Sequence, residues 1–507
     1  MERHAADAGR PPWAAHLPAG LDPSRIDLLA SQSLVRAWIR RWREEPDRPA
    51  LWDGRLGWRT AGDLERSSRL VAARLYGAGL RPGDRVLVSA SASTTLVEAY
   101  VGALRLGLAV VPLNTAYRQR ELAHIAVDAA PRAAVVDDPE RAGWIRQAAG
   151  DAIVVAPEVD LPDGPPPELD TSGPDDPALI CYTSGTTGAP KGALLRHGNL
   201  LANAEGLRLA WRWTESDRLV LALPLFHLHG LGVGLHGTLL AGASAVILPR
   251  FEVDAVLDTS LGHQASLFFG VPTMYTRLAA SPRVGELGRL RLCVSGSAPL
   301  SPTVFERIAA ASGQRVLERY GMTETLMNVS NPYDGERRPG SVGVPLPGVD
   351  MRLADRPEGE ILIKGPNVFS GYWRAESATA AVFDEEGWFH TGDVGELDEA
   401  GYLRIVGRSR ELIITGGFNV YPREVEEVLL SHPGVIEAAV VGTPSEEWGE
   451  VVTAFVVADQ PRPGVDDLLG LAAERLAPFK RPRLVRYVDS LPRNAMGKLR
   501  RDQLTEG

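Results

Sequence analysis

Short apolar runs alternate with amphipathic stretches along most of the chain, and this alternation constrains its fold more than any other feature. In the first third, apolar runs at 85–89, 109–112 and 133–136 alternate with helical patterns at 96–106 and 118–130. Strands that are apolar on both faces are typical of parallel sheets, in which helices connect successive strands. Further apolar runs follow at 218–223, 245–248, 267–270, 291–295 and 315–319. The sequence therefore predicts an α/β fold with layered, parallel sheets.

The length of the chain predicts more than one unit. Its 507 residues exceed one compact core, and about three domain-sized units are expected. Short strands with Gly/Pro turns between 341 and 371 predict a small antiparallel β unit. The residues beyond Gly407 carry helices and strands of their own and predict a separate compact unit.

Charge and cysteine content exclude several classes of protein. A net charge of −10, from 54 basic and 64 acidic residues, argues against general nucleic-acid binding. Cys181 and Cys293 each lie in an apolar run, which leaves no disulfide framework or zinc site. No apolar run approaches the roughly 18 residues that cross a bilayer, and the N-terminus lacks the apolar core of a secretory signal. We expect a cytoplasmic protein that does not bind membranes.

Three local patterns predict specific structures. The runs at 51–54 and 56–58 flank a turn and predict a hairpin, and Thr60 with Asp63 is the pattern of an N-capped helix. Seven prolines between Pro157 and Pro177 predict a surface segment without regular structure.

The residues Tyr182-Thr-Ser-Gly-Thr-Thr-Gly-Ala-Pro-Lys-Gly192 directly follow a buried run and combine glycine, hydroxyl side chains and a lysine. Glycine allows the backbone to approach an anion closely, while free N–H groups and hydroxyls bind phosphate oxygens. The pattern differs from the P-loop of ATPases because Pro190 precedes Lys191 and no Ser or Thr follows it to hold magnesium. The sequence predicts a polyphosphate-binding loop of another kind.

A second glycine pattern, Gly232-Val-Gly-Leu-His-Gly237, matches the dinucleotide-binding fingerprint. The acidic residue that such a site requires is present at Asp254, about 20 residues further on. However, a loop at 224–229 separates the preceding strand from these glycines, and the next strand is too close for a complete βαβ unit. We expect close helix packing here rather than a dinucleotide site.

Other motifs carry the residue types that a nucleotide requires. Tyr320 offers an aromatic plane for a base, and Thr323 offers a hydroxyl. Glu324 is a hard oxygen ligand for Mg²⁺, although an N-capped helix start is the alternative reading of 319–325. The carboxylate of Asp393 suits the two hydroxyls of a ribose, and Arg408 can contact the same sugar. Three further motifs are Ser295-Gly-Ser-Ala-Pro-Leu300, Ile414-Thr-Gly-Gly-Phe-Asn-Val-Tyr-Pro422 and Pro492-Arg-Asn-Ala-Met-Gly-Lys498.

In this order the motifs resemble those of the AMP-forming acyl-CoA synthetases over roughly residues 35–505. The resemblance implies the adenylate-forming fold, with a large domain of layered α/β subdomains plus a small β-barrel, and a small mobile α+β domain. It implies an N-terminal leader at 1–34, an AMP-binding domain at 35–407, a hinge at 408–410 and a C-terminal domain at 411–507.

The resemblance also implies roles for individual residues, with ATP and Mg²⁺ as cofactors. The residues implied to hold the phosphates are Thr183, Ser184, Gly185, Thr186, Thr187, Gly188 and Lys191. Those implied to frame adenine are Gly296, Ser297, Ala298, Pro299, Tyr320 and Gly321. Thr323 would contact the α-phosphate and Glu324 would bind Mg²⁺. Asp393 and Arg408 would bind the ribose. Lys498 would stabilise charge as the acid carboxylate attacks the α-phosphorus.

Family members run two half-reactions in one site. The acid and ATP form acyl-AMP and pyrophosphate, and a rotation of the C-terminal domain then withdraws Lys498 and admits the thiol of CoA. Gly416 and Gly417 would line the pantetheine tunnel, because the absence of side chains suits close passage. The hinge position holds Arg410, where the family often has Asp or Lys.

The residues around the expected acid pocket indicate a dicarboxylic acid. His227 resembles the gate beside the acyl carboxylate, with a hydrogen-bonded loop histidine as the alternative. Many relatives have glycine at the position of Arg319. An arginine there would pair with a second carboxylate of the acid, unless it forms a salt bridge with a structural acid. Arg250 is a second candidate for that carboxylate. The segment 318–328 resembles the malonyl-CoA synthetases, so malonate or methylmalonate is the expected substrate, with ATP and CoA as the other partners.

Two further functions stay open at this stage. A medium-chain or aryl acid–CoA ligase is favoured if Arg319 pairs with a protein carboxylate. An enzyme that loads a free carrier protein, or a nucleotide-binding partner without catalysis, is the other alternative, and Lys498 argues against the latter.

Overall fold

The structure is a computed structural model that describes residues 10–183, 190–355, 358–415, 418–445, 447–493 and 499–505. The contacts divide the chain into two units. The first comprises residues 1–300, 304–351 and 363–389, and the second comprises 301–303, 352–362 and 390–507. The predicted domain boundaries and hinge stay predictions.

The first sheet of the larger unit is parallel except at one edge. The strands predicted at 85–89, 109–112 and 133–136 form with those bounds, and the last strand, Lys191–Arg196, is antiparallel. In spatial order the strands are Ile153–Val155, Ala133–Val136, Arg85–Ser89, Ala109–Pro112, Pro177–Thr183 and Lys191–Arg196.

The second sheet is parallel in the centre and antiparallel at both ends. In spatial order its strands are Val344–Pro345, Leu326–Ser330, Leu317–Met322, Leu292–Ser295, Leu267–Gly270, Arg218–Leu221, Ser244–Ile247, Pro49–Asp53 and Gly57–Thr60. The last two strands are the predicted hairpin. The predicted α/β class is confirmed.

Helices connect the strands of these sheets, and the second unit has helices of its own. The α-helices are Leu34–Glu44, Ala61–Gly77, Thr94–Arg105, Gln119–Ala129, Pro139–Ala149, His197–Ala210, His236–Ala241, Val253–Gly262, Pro272–Ala280, Pro302–Ser312, Glu376–Ala380, Pro422–Leu430, Val465–Arg475 and Asp502–Thr505. Thr60 caps Ala61–Gly77 in a reciprocal pair with Asp63, as predicted. No helix of the described residues is long and apolar enough to cross a membrane.

Two smaller sheets complete the chain. One contains Asp350–Leu353, Glu358–Lys364, Phe389–Leu397 and Leu403–Arg408 in that order. It is the small β unit expected in this part of the chain, and its last two strands pair antiparallel. The other contains Phe418–Val420, Ile413–Thr415, Gly449–Ala458 and Val435–Ser445, and Leu484–Tyr487 pairs with Gly449–Ala458.

The second glycine pattern packs helices, as expected. It lies in a π-helical segment, His229–Leu235, which continues into His236–Ala241. A Cβ on Gly237 would lie 2.3 Å from Cζ3 of Trp213, so the absence of a side chain is required by this contact. The pattern therefore serves the core of the larger unit.

The proline-rich segment forms no helix or strand between 157 and 176, as predicted, and one buried arginine fastens it. The Arg105 side chain is 0% exposed and donates to both carboxylate oxygens of Asp170 at 3.0 and 3.1 Å. It also donates to Glu65 Oε1 at 3.3 Å and to Ser68 Oγ at 3.0 Å. Three side chains, two from one helix and one from the loop, thus share a single guanidinium.

We predict that Arg105→Met lowers the free energy of unfolding by about 3–5 kcal/mol, because it leaves Glu65 and Asp170 without their buried cation. Urea denaturation measures the loss. The matched control is Arg43→Met, since Arg43 also contacts Glu65 but is 58% exposed, and it should cost less than about 1 kcal/mol. Equal losses for the two variants would contradict this account of Arg105.

Candidate active site

The two stems of the predicted phosphate loop are adjacent strands. Pro177–Thr183 and Lys191–Arg196 pair antiparallel, and Thr183 lies opposite Lys191 in the register. The predicted phosphate ligands between the stems, which are Ser184, Gly185, Thr186, Thr187 and Gly188, lie outside the described residues. The predicted buried strand before the loop is present, with residues 178–182 buried.

The helix Gln119–Ala129 supports both stems of this loop. His124 Nε2 lies 3.1 Å from the carbonyl oxygen of Pro190, at the end of the loop. On the other stem, the hydroxyl of Tyr182 donates to the carboxylate of Asp128. The stems are therefore fixed to a rigid element as well as to each other.

Glu324 and Lys191, the first residue of the second stem, both lie near one tyrosine, Tyr372. The hydroxyl of Tyr372 donates to Glu324 Oε1 at 3.0 Å, and Lys191 Nζ lies 5.4 Å from the centre of the same ring. Glu324 is 6% exposed. Mg²⁺ is commonly held by one or two carboxylates together with substrate phosphates, and a buried carboxylate near a stem of the predicted phosphate loop fits that chemistry.

Sequence reasoning missed Tyr372. Its neighbours pair with the strand of Lys191, since the Trp373 amide donates to the carbonyl of Gly192 at 2.7 Å. A contact between Trp373 and Gly192, which are 181 positions apart, leaves no local sequence pattern, whereas the residues around Glu324 form a recognisable motif.

Residues 319–325 form a hairpin, so the helix-start alternative is wrong. Leu317–Met322 pairs with Leu326–Ser330, and the turn between them carries Thr323 and Glu324. A Cβ on Gly321 would lie 2.1 Å from the carbonyl oxygen of Leu326, which only glycine avoids. Along the first strand, residues 317–319 are buried, Arg319 among them, while Tyr320 is partly exposed.

The predicted adenine loop begins directly after the strand Leu292–Ser295. Gly296 is buried, whereas Ser297, Ala298 and Pro299 are exposed and available to a flat ligand. A Cβ on Gly296 would lie 2.4 Å from Cζ of Arg319. The loop therefore packs its glycine against the guanidinium and presents its other residues outward.

Arg319 is buried without a protein counterion among the described residues. It is 3% exposed, and no residue that the structure describes forms a hydrogen bond with its Nε or Nη2. Burial lowers its pKa to about 9, which still leaves the guanidinium charged at neutral pH. A buried cation with unpaired donors is a strong site for an anion. The structure therefore removes the salt-bridge alternative for Arg319 within the part of the chain that it describes.

Two neutral histidines lie beside this guanidinium. Burial, and next the charge of Arg319, lower the pKa of His227 to about 4 and that of His229 well below its usual value. The His229 amide donates to His227 Nδ1 at 3.2 Å, and Ser297 Oγ lies 3.3 Å from His229 Nδ1. Arg319, His227, His229 and Ser297 thus form one polar cluster, which we call the acid pocket.

Arg250 is not part of the acid pocket. Its side chain is 79% exposed and pairs with Glu252 at 2.9 Å. The two arginine candidates are therefore unequal, because a solvated and paired guanidinium has less to gain from a ligand than a buried unpaired one.

Asp393 and Arg408, considered within the second unit, form a cross-strand ion pair. They lie opposite each other in the register of two antiparallel strands, and Arg408 Nε lies 2.9 Å from Asp393 Oδ1. The Asp393 side chain is 6% exposed. The structure brings together the two residues that were expected to contact one sugar.

The remaining predicted residues cannot be placed. Gly416, Gly417 and Lys498 lie outside the described residues, as does the side chain of Arg410, whose backbone belongs to the 3₁₀ turn Ser409–Glu411.

Comparison with known proteins identifies relatives along the whole chain. The profile of the AMP-binding enzymes matches residues 38–373, and that of the AMP-binding enzyme C-terminal domain matches residues 424–498. A feruloyl-CoA synthase of Amycolatopsis is 37% identical over 93% of this chain and 98% of its own. A malonate–CoA ligase of Arabidopsis thaliana is 35% identical over 84% of this chain and 78% of its own. The crystal structure of ATP-bound MatB from Rhodopseudomonas palustris superposes with a TM-score of 0.88 at 41% identity, covering 93% of this chain and 98% of that one.

The neutral histidine in the acid pocket makes stability depend on pH. Because the pKa of His227 falls from 6.5 to about 4 on folding, the unfolded chain binds more protons between these values. We expect the free energy of unfolding to fall as pH drops from 6.5 towards 4, with a slope from this residue of at most about 1.4 kcal/mol per pH unit. His227→Gln should give a shallower slope in urea denaturation at pH 7, 6 and 5. Parallel curves for the two proteins would contradict a buried neutral His227.

Proposed function

Because the chain belongs to the AMP-binding enzymes and is an AMP-forming acid–CoA ligase, we propose that its acid is a short dicarboxylate, malonate or methylmalonate. The observation that carries this proposal is the buried guanidinium of Arg319, which lacks a protein counterion among the described residues. A small acid with a second carboxylate supplies that counterion.

The energetics of Arg319 favour a dicarboxylate over an apolar acid. A charge-assisted pair between the guanidinium and a distal carboxylate contributes roughly 1.5–3 kcal/mol net. An apolar acyl chain in the same place leaves the cation buried beside hydrocarbon, which costs about 3–5 kcal/mol. The same residue thus binds malonate and rejects fatty and aryl acids.

The proposed reaction has two steps. First, a carboxylate oxygen of the acid attacks the α-phosphorus of ATP, so that acyl-AMP forms and pyrophosphate leaves. Second, the thiol of CoA attacks the acyl carbon, so that the thioester forms and AMP leaves with the electron pair of the broken C–O bond. Both steps depend on positioning and charge stabilisation more than on a protein nucleophile.

Different residues have different proposed roles in these two steps. Thr183 and Lys191, with the loop between them, hold the phosphates, and Thr323 contacts the α-phosphate. Glu324, oriented by the Tyr372 hydroxyl, provides the carboxylate for Mg²⁺, which neutralises phosphate charge when bound. Lys498 stabilises the charge that develops in the first step.

Within the acid pocket, two groups orient the substrate by its two ends. Arg319 binds the distal carboxylate, and neutral His227 lies beside the guanidinium, where it donates or accepts a hydrogen bond without repelling it. Gly296 leaves room for the guanidinium, because a side chain at this position would displace it.

An aryl acid is the second candidate, and the similarity to a feruloyl-CoA synthase favours it. It predicts a pocket without an unpaired cation, which Arg319 argues against. An acid-activating enzyme that loads a free carrier protein differs only in the second step, and comparing CoA with a carrier protein as acceptor of preformed acyl-AMP separates the two.

We predict that pyrophosphate release with malonate or methylmalonate exceeds that with acetate, octanoate or benzoate by at least about 10-fold in kcat/KM, the equivalent of one charge-assisted pair. The assay compares these acids and succinate at equal concentration. High turnover of octanoate or benzoate with none of malonate contradicts the proposal.

The variant Arg319→Gly should lower kcat/KM for malonate by about 10- to 150-fold, since it removes a charged pair of roughly 1.5–3 kcal/mol. The KM for ATP should change less than about 2-fold, because the guanidinium faces the acid. Arg250→Gly is the matched control and should leave both values unchanged. Equal losses for malonate and ATP would assign Arg319 a structural role instead.

A further inference from the structure

Arg501, three residues after Lys498, forms ion pairs and hydrogen bonds with the rest of the second unit. Arg501 Nε donates to Glu411 Oε2 at 3.0 Å, and its Nη2 donates to Glu426 Oε2 at 3.1 Å. Its Nη1 donates to Glu426 Oε1 and, at 2.8 Å, to the carbonyl oxygen of Val440. Burial acts to lower the pKa of Arg501, but Glu426 and Glu411 raise it overall. The guanidinium of Arg501 therefore stays positively charged at neutral pH.

Arg501 joins three separate elements. Glu411 ends the 3₁₀ turn Ser409–Glu411, which directly follows the strand of Arg408. Glu426 lies on the helix Pro422–Leu430 and accepts from the amide of Val440 at 2.7 Å. Val440 belongs to the strand Val435–Ser445. The guanidinium therefore ties the C-terminal segment to the turn that contains Arg410 and to the core of this unit.

The described residues on both sides of 494–498, Arg493 and Leu499, also contact each other and the rest of the second unit. Arg493 and Leu499 pair as an antiparallel bridge, so the two ends of this segment lie side by side. Arg493 Nη2 lies 2.8 Å from Glu437 Oε2, but this pair is on the surface, with side-chain exposures of 35% and 37%. Leu499 packs against a small core that includes Leu491 and Leu504. Arg501, only 22% exposed, is the more strongly buried of the two charged anchors.

We propose that Arg501 is a positioning residue for the first half-reaction: it fixes the chain three residues after Lys498 to the turn Ser409–Glu411 and to the helix Pro422–Leu430, so that loosening it lowers the rate of the step assigned to that lysine. This inference rests on the proposed role of Lys498. Because a misplacement of about 1 Å can cost about 100-fold in rate, a loosened anchor three residues away reaches the reaction through the lysine. The second half-reaction does not use Lys498 and should not depend on Arg501.

The test measures the two half-reactions separately in the full-length enzyme. ATP–pyrophosphate exchange, with the acid that gives the highest turnover, reports the first, and thioester formation from preformed acyl-AMP and CoA reports the second. Arg501→Gln should lower kcat of the first about 10- to 100-fold, with the KM for ATP and the second half-reaction within about 2-fold. Arg501→Lys should recover part of the loss, because it keeps the charge but not the fork of donors. Arg500→Gln is the control, since Arg500 pairs with Asp502 two residues away, at the surface, and it should match wild type.

The variant Lys498→Ala separates a failure of the proposed role of Lys498 from a failure of the proposed role of Arg501. If it retains the first half-reaction, the role of Lys498 fails and the inference fails with it. If Lys498→Ala loses the first half-reaction while folded Arg501→Gln keeps both, or loses both equally, the role of Arg501 alone is overturned. Should Arg501→Gln fail to fold, Arg501→Lys and Glu411→Gln replace it in both half-reaction assays. Each weakens the contacts of residue 501 but keeps at least one ion pair with Glu426 or Glu411.

Discussion

The guanidinium of Arg319 is buried, has no carboxylate partner within the part of the chain that the structure describes, and the arrangement of the site depends on it. Its strand places it under the adenine loop, where Gly296 has no side chain because Arg319 occupies the space. Its charge helps to keep His227 and His229 neutral. A folded protein tolerates such a cation only where a ligand or solvent compensates it. The cation therefore identifies the chemistry of the missing partner as anionic.

In the proposed function, selectivity and reactivity lie in different parts of the larger unit. The phosphate-loop stems, Glu324 and Tyr372 form one cluster, whose proposed contacts serve any acid that the enzyme activates. The acid pocket forms the other, and its proposed role is to distinguish one acid from another. The hairpin Leu317–Met322 and Leu326–Ser330 contributes to both, since Arg319 lies on its first strand and Glu324 in its turn. A short antiparallel element thus links the choice of acid to the handling of phosphate.

Much of the fold could be predicted from the sequence, because buried parallel strands are short and apolar on both faces. The strands at 85–89, 109–112, 133–136 and 267–270 have the predicted bounds. Tertiary pairing decides the structure at 319–325, where a hairpin forms and the alternative of a helix start is wrong. Tyr372 was missed because its role arises from a contact with residues far away in the sequence. The difference between Arg319 and Arg250 was likewise invisible, since burial of a charge depends on the whole fold.

The most direct test of the account is the affinity of malonate relative to propionate, in which a methyl group replaces the second carboxylate. Isothermal titration of each acid into enzyme saturated with a non-hydrolysable ATP analogue measures both dissociation constants. If Arg319 receives the distal carboxylate, malonate should bind at least about 10-fold more tightly, the equivalent of about 1.4 kcal/mol. Equal binding, or tighter binding of propionate, would contradict the claim that Arg319 selects the acid.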